Sequence, residues 1–193
     1  MRRLPDSRYE EIKDCIITCF ERSNISTFPV KPSIIVESNG IKLKTYSQHS
    51  EQLFQQALEI SNDGFSIFQN NSWFIFYNPT ITPQERIRFT LMHEIGHIVL
   101  NHTEHSELAE AEADFFARYS LVPTVLIQSL PEINEYAIHE KFGISVTAAK
   151  YALENYYKWQ SHFNWIGQKY TETEMRFARL FNIELLDQFL VAA

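Results

Sequence analysis

The sequence predicts an α+β fold in essentially one domain, and three observations carry that expectation. The strand-like stretches all fall before residue 80, and helical periodicity dominates after residue 83. The third is composition: 193 residues, 45% hydrophobic and 14% aromatic, suffice to bury one core with at most a small appended lobe. Strands alternating with helices along the whole chain would have signalled α/β instead.

The elements follow in order. Residues 7–22 read as an amphipathic helix with Ile12, Cys15, Ile16, Cys19 and Phe20 on one side, broken by "NISTFPVKP". "PSIIVESNG" reads as a short helix opened by Pro32 and closed by Gly40. "IKLKTY" alternates as a strand does, and "SEQLFQQALEI" reads as a helix. "GFSIFQ" and "WFIFYN" are aromatic and β-branched, and the "NNS" between them signals a hairpin. "NPTITPQ" turns into a helix over 84–101, with Thr82 as expected N-cap and Pro83 in its first turn. "HTEHS" breaks the chain before a helix over 107–121, capped by Ser106 and stopped by Pro123. Two further helices, 132–141 and 146–159, meet at Phe142-Gly143-Ile144, and the tail 170–191 is expected to be helical. The expected organisation is an N-terminal helix and connection over 1–30, a core over 31–125 and a helical region over 126–193.

Composition narrows the function. A formal net charge of -7 with no basic stripe argues against nucleic acid as the main ligand. Cys15 and Cys19 lack C-x-x-C spacing and read as helix packing rather than a disulfide or metal site. Two arginines near the start are followed by no apolar leader, and no apolar run reaches membrane-spanning length. The expectation is a cytoplasmic protein without a membrane partner.

"FTLMHEIGHIVLNH", residues 89–102, carries the chemistry. At about 100° per residue His93 and His97 fall about 40° apart, one turn apart on one helix face. Two imidazoles so placed can converge on one Zn²⁺ at ~2.0–2.1 Å each. Glu94 lies about 100° round from His93, where a carboxylate reaches a water on the metal without ligating the ion. This is the H-E-x-x-H arrangement of metal-dependent hydrolases. Gly96, unfavourable in a helix by ~1 kcal/mol against alanine, suggests a close backbone approach.

A catalytic zinc needs a third protein ligand and an open position. The candidates are His102, His105, Glu107, Glu110 and Glu112. Leu100 and Thr103 exclude the extended motif with glycine and a third histidine, and His102 and His105, in the turn, are expected to face solvent. In "ELAEAEADFFA", Glu110 and Asp114 share a face, while Glu112 lies about 200° from Glu110 and points elsewhere. Glu110 as ligand leaves Asp114 placed to hydrogen-bond the free ring nitrogen of a ligand histidine. Glu112 would pair with Phe116 at i+4, which cannot do so. Glu107, on the Glu110 face, is the runner-up.

"RIRFTLMHEIGHIVLNH", "EAEADFFARYSLVP" and "KFGISVTAAKYAL", in that order, resemble the ImmA/IrrE metallopeptidases of bacteria and their mobile elements. The resemblance covers about residues 30–155. It implies a zincin-like core, with a small antiparallel or mixed sheet, active-site helices and additional C-terminal helices. It also implies zinc held by His93, His97 and Glu110, Glu94 as catalytic acid/base, and a protein substrate. Some members cleave a helix-turn-helix repressor of a mobile element or stress response. The sequence departs from the common L-L-M-P at Ser120-Leu121-Val122-Pro123, where a hydroxyl enters a packed position.

Three functions compete. The first is a zinc endopeptidase in which Glu94 takes a proton from the attacking water and returns it to the leaving amine. Tyr119, His139 and Tyr151 are candidates to stabilise the oxyanion, and "WFIFYN" is a candidate exposed edge for an extended substrate. The second is a binding module built on the helix-turn-helix-like pair around Gly143. Its second helix offers only Lys150 and Lys158 with Glu154 between, so it suits a protein partner or plain support better than DNA. The third is a zinc-binding regulatory protein with little intrinsic proteolysis, acting through a partner.

Overall fold

The computed structural model describes residues 3–48, 50–166 and 170–185, with backbone alone for 162–166. Eight α-helices and a three-stranded mixed sheet among these residues make the chain α+β. It divides into two compact units: residues to Ile25 with Val30–Leu121, and Ser26–Pro29 with the chain from Val122 onward. No helix among the described residues is long and apolar enough to cross a membrane.

The first unit opens with α1 (Asp6–Arg22), which buries Ile12, Ile16, Ile17, Cys19 and Phe20. Next come α2 (Pro32–Ser38), β1 (Lys42–Thr45) and α3 (Glu51–Ile60), the last capped by Ser50, whose side chain accepts from Leu53 N–H. The hairpin of β2 (Gly64–Gln69) and β3 (Ser72–Tyr77) turns at Asn70-Asn71. Both asparagines have positive φ, at 49° and 56°, as a two-residue hairpin turn with the right twist demands.

Strand order is β1-β3-β2, with β1 parallel and β2 antiparallel to β3. This overturns the expected edge. "WFIFYN" forms β3, paired on both sides, so among the described residues the edge strands are β1 and β2. A hairpin alone leaves both strands with an open side. Here Lys42–Thr45 returns from earlier in the chain to cover the open side of β3.

Helix α4 (Gln84–Val99) lies against β2 and β3. Its N-cap is Pro83 and not Thr82: Pro83 is the extended residue, and its carbonyl accepts from Arg86 N–H at 3.0 Å. Helix α5 (Glu107–Leu121) packs against both α4 and α1. Ser106 caps it, its Oγ accepting from Ala109 N–H at 3.1 Å. The Ser120 hydroxyl is fully buried and donates to the carbonyls of Phe116 and Ala117, so its packed position is satisfied.

Four helices end in the same turn. A residue of positive φ at Asn24, Gly40, Asn101 or Asn182 lets the next N–H reach the carbonyl five residues back. The residue that follows is Ile25, Ile41 or Ile183 in three cases, and His102 at the end of α4.

The second unit holds a short 3-10 helix (Thr124–Ser129), α6 (Glu135–Phe142), α7 (Val146–Ile166) and α8 (Glu172–Leu180). Asn134 caps α6, and Gly143 at φ 65° ends it. Phe28 lies edge-on to Phe142 at 4.7 Å and stacks on Phe181 at 4.4 Å. Helix α8 opens with a reciprocal cap between Thr171 and Glu174 and stops at Leu180, well short of the expected 191. Asn182 turns the chain there, and 186–191 lie outside the described residues.

Candidate functional site

The site is built where the sheet, α4 and α5 come together. Two glycines set the spacing. A Cβ on Gly64 would lie 2.8 Å from Thr90 Cγ2, so the start of β2 rests directly on α4. A Cβ on Gly96 would lie 3.1 Å from both Cβ and Cγ of Phe116, so α5 comes equally close on the other side. The close approach suggested by a glycine inside the helix is therefore present.

On the sheet side, Gly64 and Ser66 share one strand face, as Thr90 and Glu94 share one helix face. Ser66 Oγ donates to Glu94 Oε2 at 2.8 Å. Glu94 is 8% exposed. Burial pushes its carboxyl up, with the Ser66 hydroxyl and His93 opposing.

On the α5 side, His93 Nε2 and His97 Nε2 lie 3.0 Å apart. Glu110 Oε2 is 3.3 Å from the first and Glu110 Oε1 is 3.5 Å from the second. One ligating atom from each residue falls within 4.8 Å of the others, a group able to hold a metal ion. A tetrahedral ion with bonds of about 2.05 Å separates its ligand atoms by roughly 3.3 Å. The observed separations bracket that value, and the donor set is two imidazoles and a carboxylate. The residues fit a metal.

Each imidazole is held from behind. His93 Nδ1 pairs with Asp114 Oδ1 at 3.1 Å. His97 Nδ1 pairs with His102 Nδ1 at 2.9 Å, and His102 Nε2 with Glu112 Oε2 at 3.0 Å. Arg8 closes the line: its Nε and Nη2 donate to the two Glu112 oxygens at 2.9 and 2.6 Å. Arg8 holds the Glu112 carboxyl below its ordinary range.

His102 is thus not the solvent-facing residue that a turn position suggested. The turn at Asn101 folds it back, its N–H bonding the His97 carbonyl at 3.0 Å, and its ring is mostly buried. His105 does face solvent, with its ring 3.7 Å from Glu110 Oε1. Glu107 is exposed and outside the metal-capable group. Glu112 is directed away from that group and is buried, not solvated. Of the oxyanion candidates, Tyr119 is buried on α5 with Lys13 Nζ 5.2 Å over its ring. His139 and Tyr151 belong to the second unit, where His139 Nδ1 bonds the Ile144 carbonyl.

Ser66, His102, Glu112 and Arg8 are the polar partners that sequence reasoning did not assign to the site. Asn101 was a usable signal, since asparagine after a helix marks the turn that brings the next residue back.

The IrrE N-terminal-like domain family (Peptidase_M78) matches residues 46–154, more than half of the chain. The chain belongs to that family. No curated protein matches it. Membership in the IrrE-like peptidases makes the protein a peptidase, with a peptide or protein as substrate. The matched span contains the whole metal-capable group, Glu94 and Ser66, and in this IrrE-like chain Arg8 lies outside it.

Proposed function

We propose that the protein is a zinc-dependent endopeptidase with a zincin-like catalytic core over residues 31–125. His93, His97 and Glu110 hold Zn²⁺, Glu94 is the general base and acid, and Asp114 orients His93. The observation that carries this reading is the convergence of two Nε2 atoms and one carboxylate at tetrahedral spacing, beside a buried glutamate that is not part of the group.

Bound there, the metal supplies a Lewis acid that acidifies a water and polarises a peptide carbonyl. The protein's own groups do the rest. Ser66 holds Glu94 through Oε2, leaving Oε1 to take the proton of the attacking water and deliver it to the leaving nitrogen. Burial raises the Glu94 carboxyl toward the working pH, which favours proton transfer in both directions. Edge strand β2, which carries Ser66, offers unpaired backbone groups to an extended substrate. A helix-turn-helix repressor of a mobile element or stress response is the proposed substrate.

The test is metal analysis of wild type, Glu94→Gln and Glu110→Ala, with cleavage of a repressor encoded beside the gene. Glu94→Gln should keep zinc and lose cleavage, while Glu110→Ala should retain zinc more weakly. Equal metal loss in both variants would overturn the separate roles. Wild type that holds zinc and cuts nothing would favour a regulatory binding protein.

A further inference from the structure

We infer that His102, Glu112 and Arg8 form a positioning chain that fixes the tautomer and direction of the His97 ring, so that its Nε2 lone pair is presented to the metal. The inference rests on the proposed ligand role of His97. It makes the first helix of the chain part of the metal site.

The proton positions follow from the contacts. A neutral imidazole that ligates through Nε2 carries its proton on Nδ1 and must donate it. The partner of His97 Nδ1 is His102 Nδ1, which must therefore accept. His102 then carries its proton on Nε2 and donates to Glu112 Oε2. While ionised, Glu112 has no proton to donate and can only accept, and it is 5% exposed, a burial that an unpaired carboxylate does not tolerate. Arg8 pairs with both of its oxygens and is itself fastened by Glu11 Oε2 at 2.7 Å. Each group thus leaves its neighbour one choice. Without the carboxylate, both imidazoles could reverse, placing a proton on His97 Nε2 where the lone pair is needed.

The turn at the end of α4 supports this. At three other helix ends the residue after the positive-φ position is isoleucine, a packing residue. At this end it is an imidazole, and its ring makes two hydrogen bonds. His93, by contrast, meets its carboxylate directly through Asp114.

The experiment measures zinc affinity by chelator competition in wild type, His102→Phe, His102→Gln, Arg8→Met and His97→Ala, with thermal unfolding of each metal-free protein as the fold control. His102→Phe should weaken zinc about 10- to 100-fold, the usual range for a group bonded to a ligand, and Arg8→Met should weaken it in the same direction. His102→Gln, whose amide oxygen can accept from His97, should recover most of the loss. Nitrogen-15 spectra of zinc-loaded wild type should show His97 protonated on Nδ1 and His102 on Nε2, a readout that needs no variant. Unchanged affinity in His102→Phe and Arg8→Met, or His102 protonated on Nδ1, would sink the chain while leaving the ligand assignment intact. Undiminished zinc affinity in His97→Ala would overturn the ligand assignment and the chain with it.

Discussion

Two helix pairs in this protein read alike in sequence and differ in the polar groups they bury. Helices α4 and α5 are two helices with a short break between them, and so are α6 and α7. Among the described residues of α6, α7 and the turn that joins them, the buried ones are Ile138, Phe142, Ile144, Ala149 and Tyr156. On α4 and α5 apolar residues such as Met92, Ile95, Ala113 and Phe116 are buried as well, but Thr90, Glu94, His97 and Glu112 are buried among them. Burying an ionisable group is unfavourable unless it is paired, and apolar residues of similar size would stabilise the pair at least as well. The polar pair is therefore explained by the proposed chemistry and the apolar pair by packing. Its pairing is also close to complete: Glu94 has Ser66, His93 has Asp114, and His97 has His102.

The contrast can be broken, beginning with the largest expected effect. Glu94→Gln removes the proposed proton carrier and keeps the shape, so cleavage should fall by roughly 10²- to 10⁴-fold with zinc content unchanged. A single-turnover peptide assay with metal analysis measures both. If activity survives, the polar pair needs another explanation.

In the apolar pair, Ile138→Ala empties a fully buried site on α6. It should cost about 2–5 kcal/mol, read by denaturant unfolding, and remove no metal ligand. A loss of zinc from the folded variant would show that the two pairs are not as different as their residues suggest.

Gly96→Ala tests the spacing of the polar pair. Overpacking against Phe116 should cost about 1–3 kcal/mol, set against about 1 kcal/mol gained in helix propensity. A net loss of up to about 2 kcal/mol is expected, with weaker zinc binding as α5 is pushed from α4. A stabilised variant with unchanged zinc affinity would show that the close contact has no role.

The smallest effect is a slope. In the metal-free protein His97 is pushed down to about 4, by burial first and by the His93 ring second. Burial also pushes His93 down, but the Asp114 hydrogen bond and the charges of Glu94, Asp114 and Glu110 outweigh it, and its value is raised above 6.5. As pH falls, the pair therefore takes one proton, on His93, and resists a second. A metal held by His93, as proposed, must displace that proton. Between about pH 6 and pH 5 the apparent zinc affinity should fall about tenfold per unit, and not a hundredfold. Isothermal titration across that range reads the number of protons released. A value near two would show that the imidazoles titrate independently.

How much was legible in the sequence depends on the distance between partners. The one-face placement of His93 with His97, and of Glu110 with Asp114, follows from helix periodicity, which four residues establish. The hairpin was legible at Asn70-Asn71, because positive φ favours such residues. His102 was misjudged because a turn residue is ordinarily solvated, and its ring is drawn inward by a carboxylate on another helix. The helical tail was overextended because the turn at Asn182 interrupts a run that reads as continuous.

The sequence by itself determined the elements, their class and the two helix faces that carry imidazoles and carboxylates. These are local properties, written in periods of two and 3.6 residues. Tertiary structure decided which strand became the centre of the sheet, which carboxylate met which ring, and that Arg8 meets Glu112 at all. Ser66 and Glu94 are 28 residues apart, and Arg8 and Glu112 are 104 apart. No local pattern encodes such pairs, because they form only when separate elements are packed together and a buried charge must find its partner.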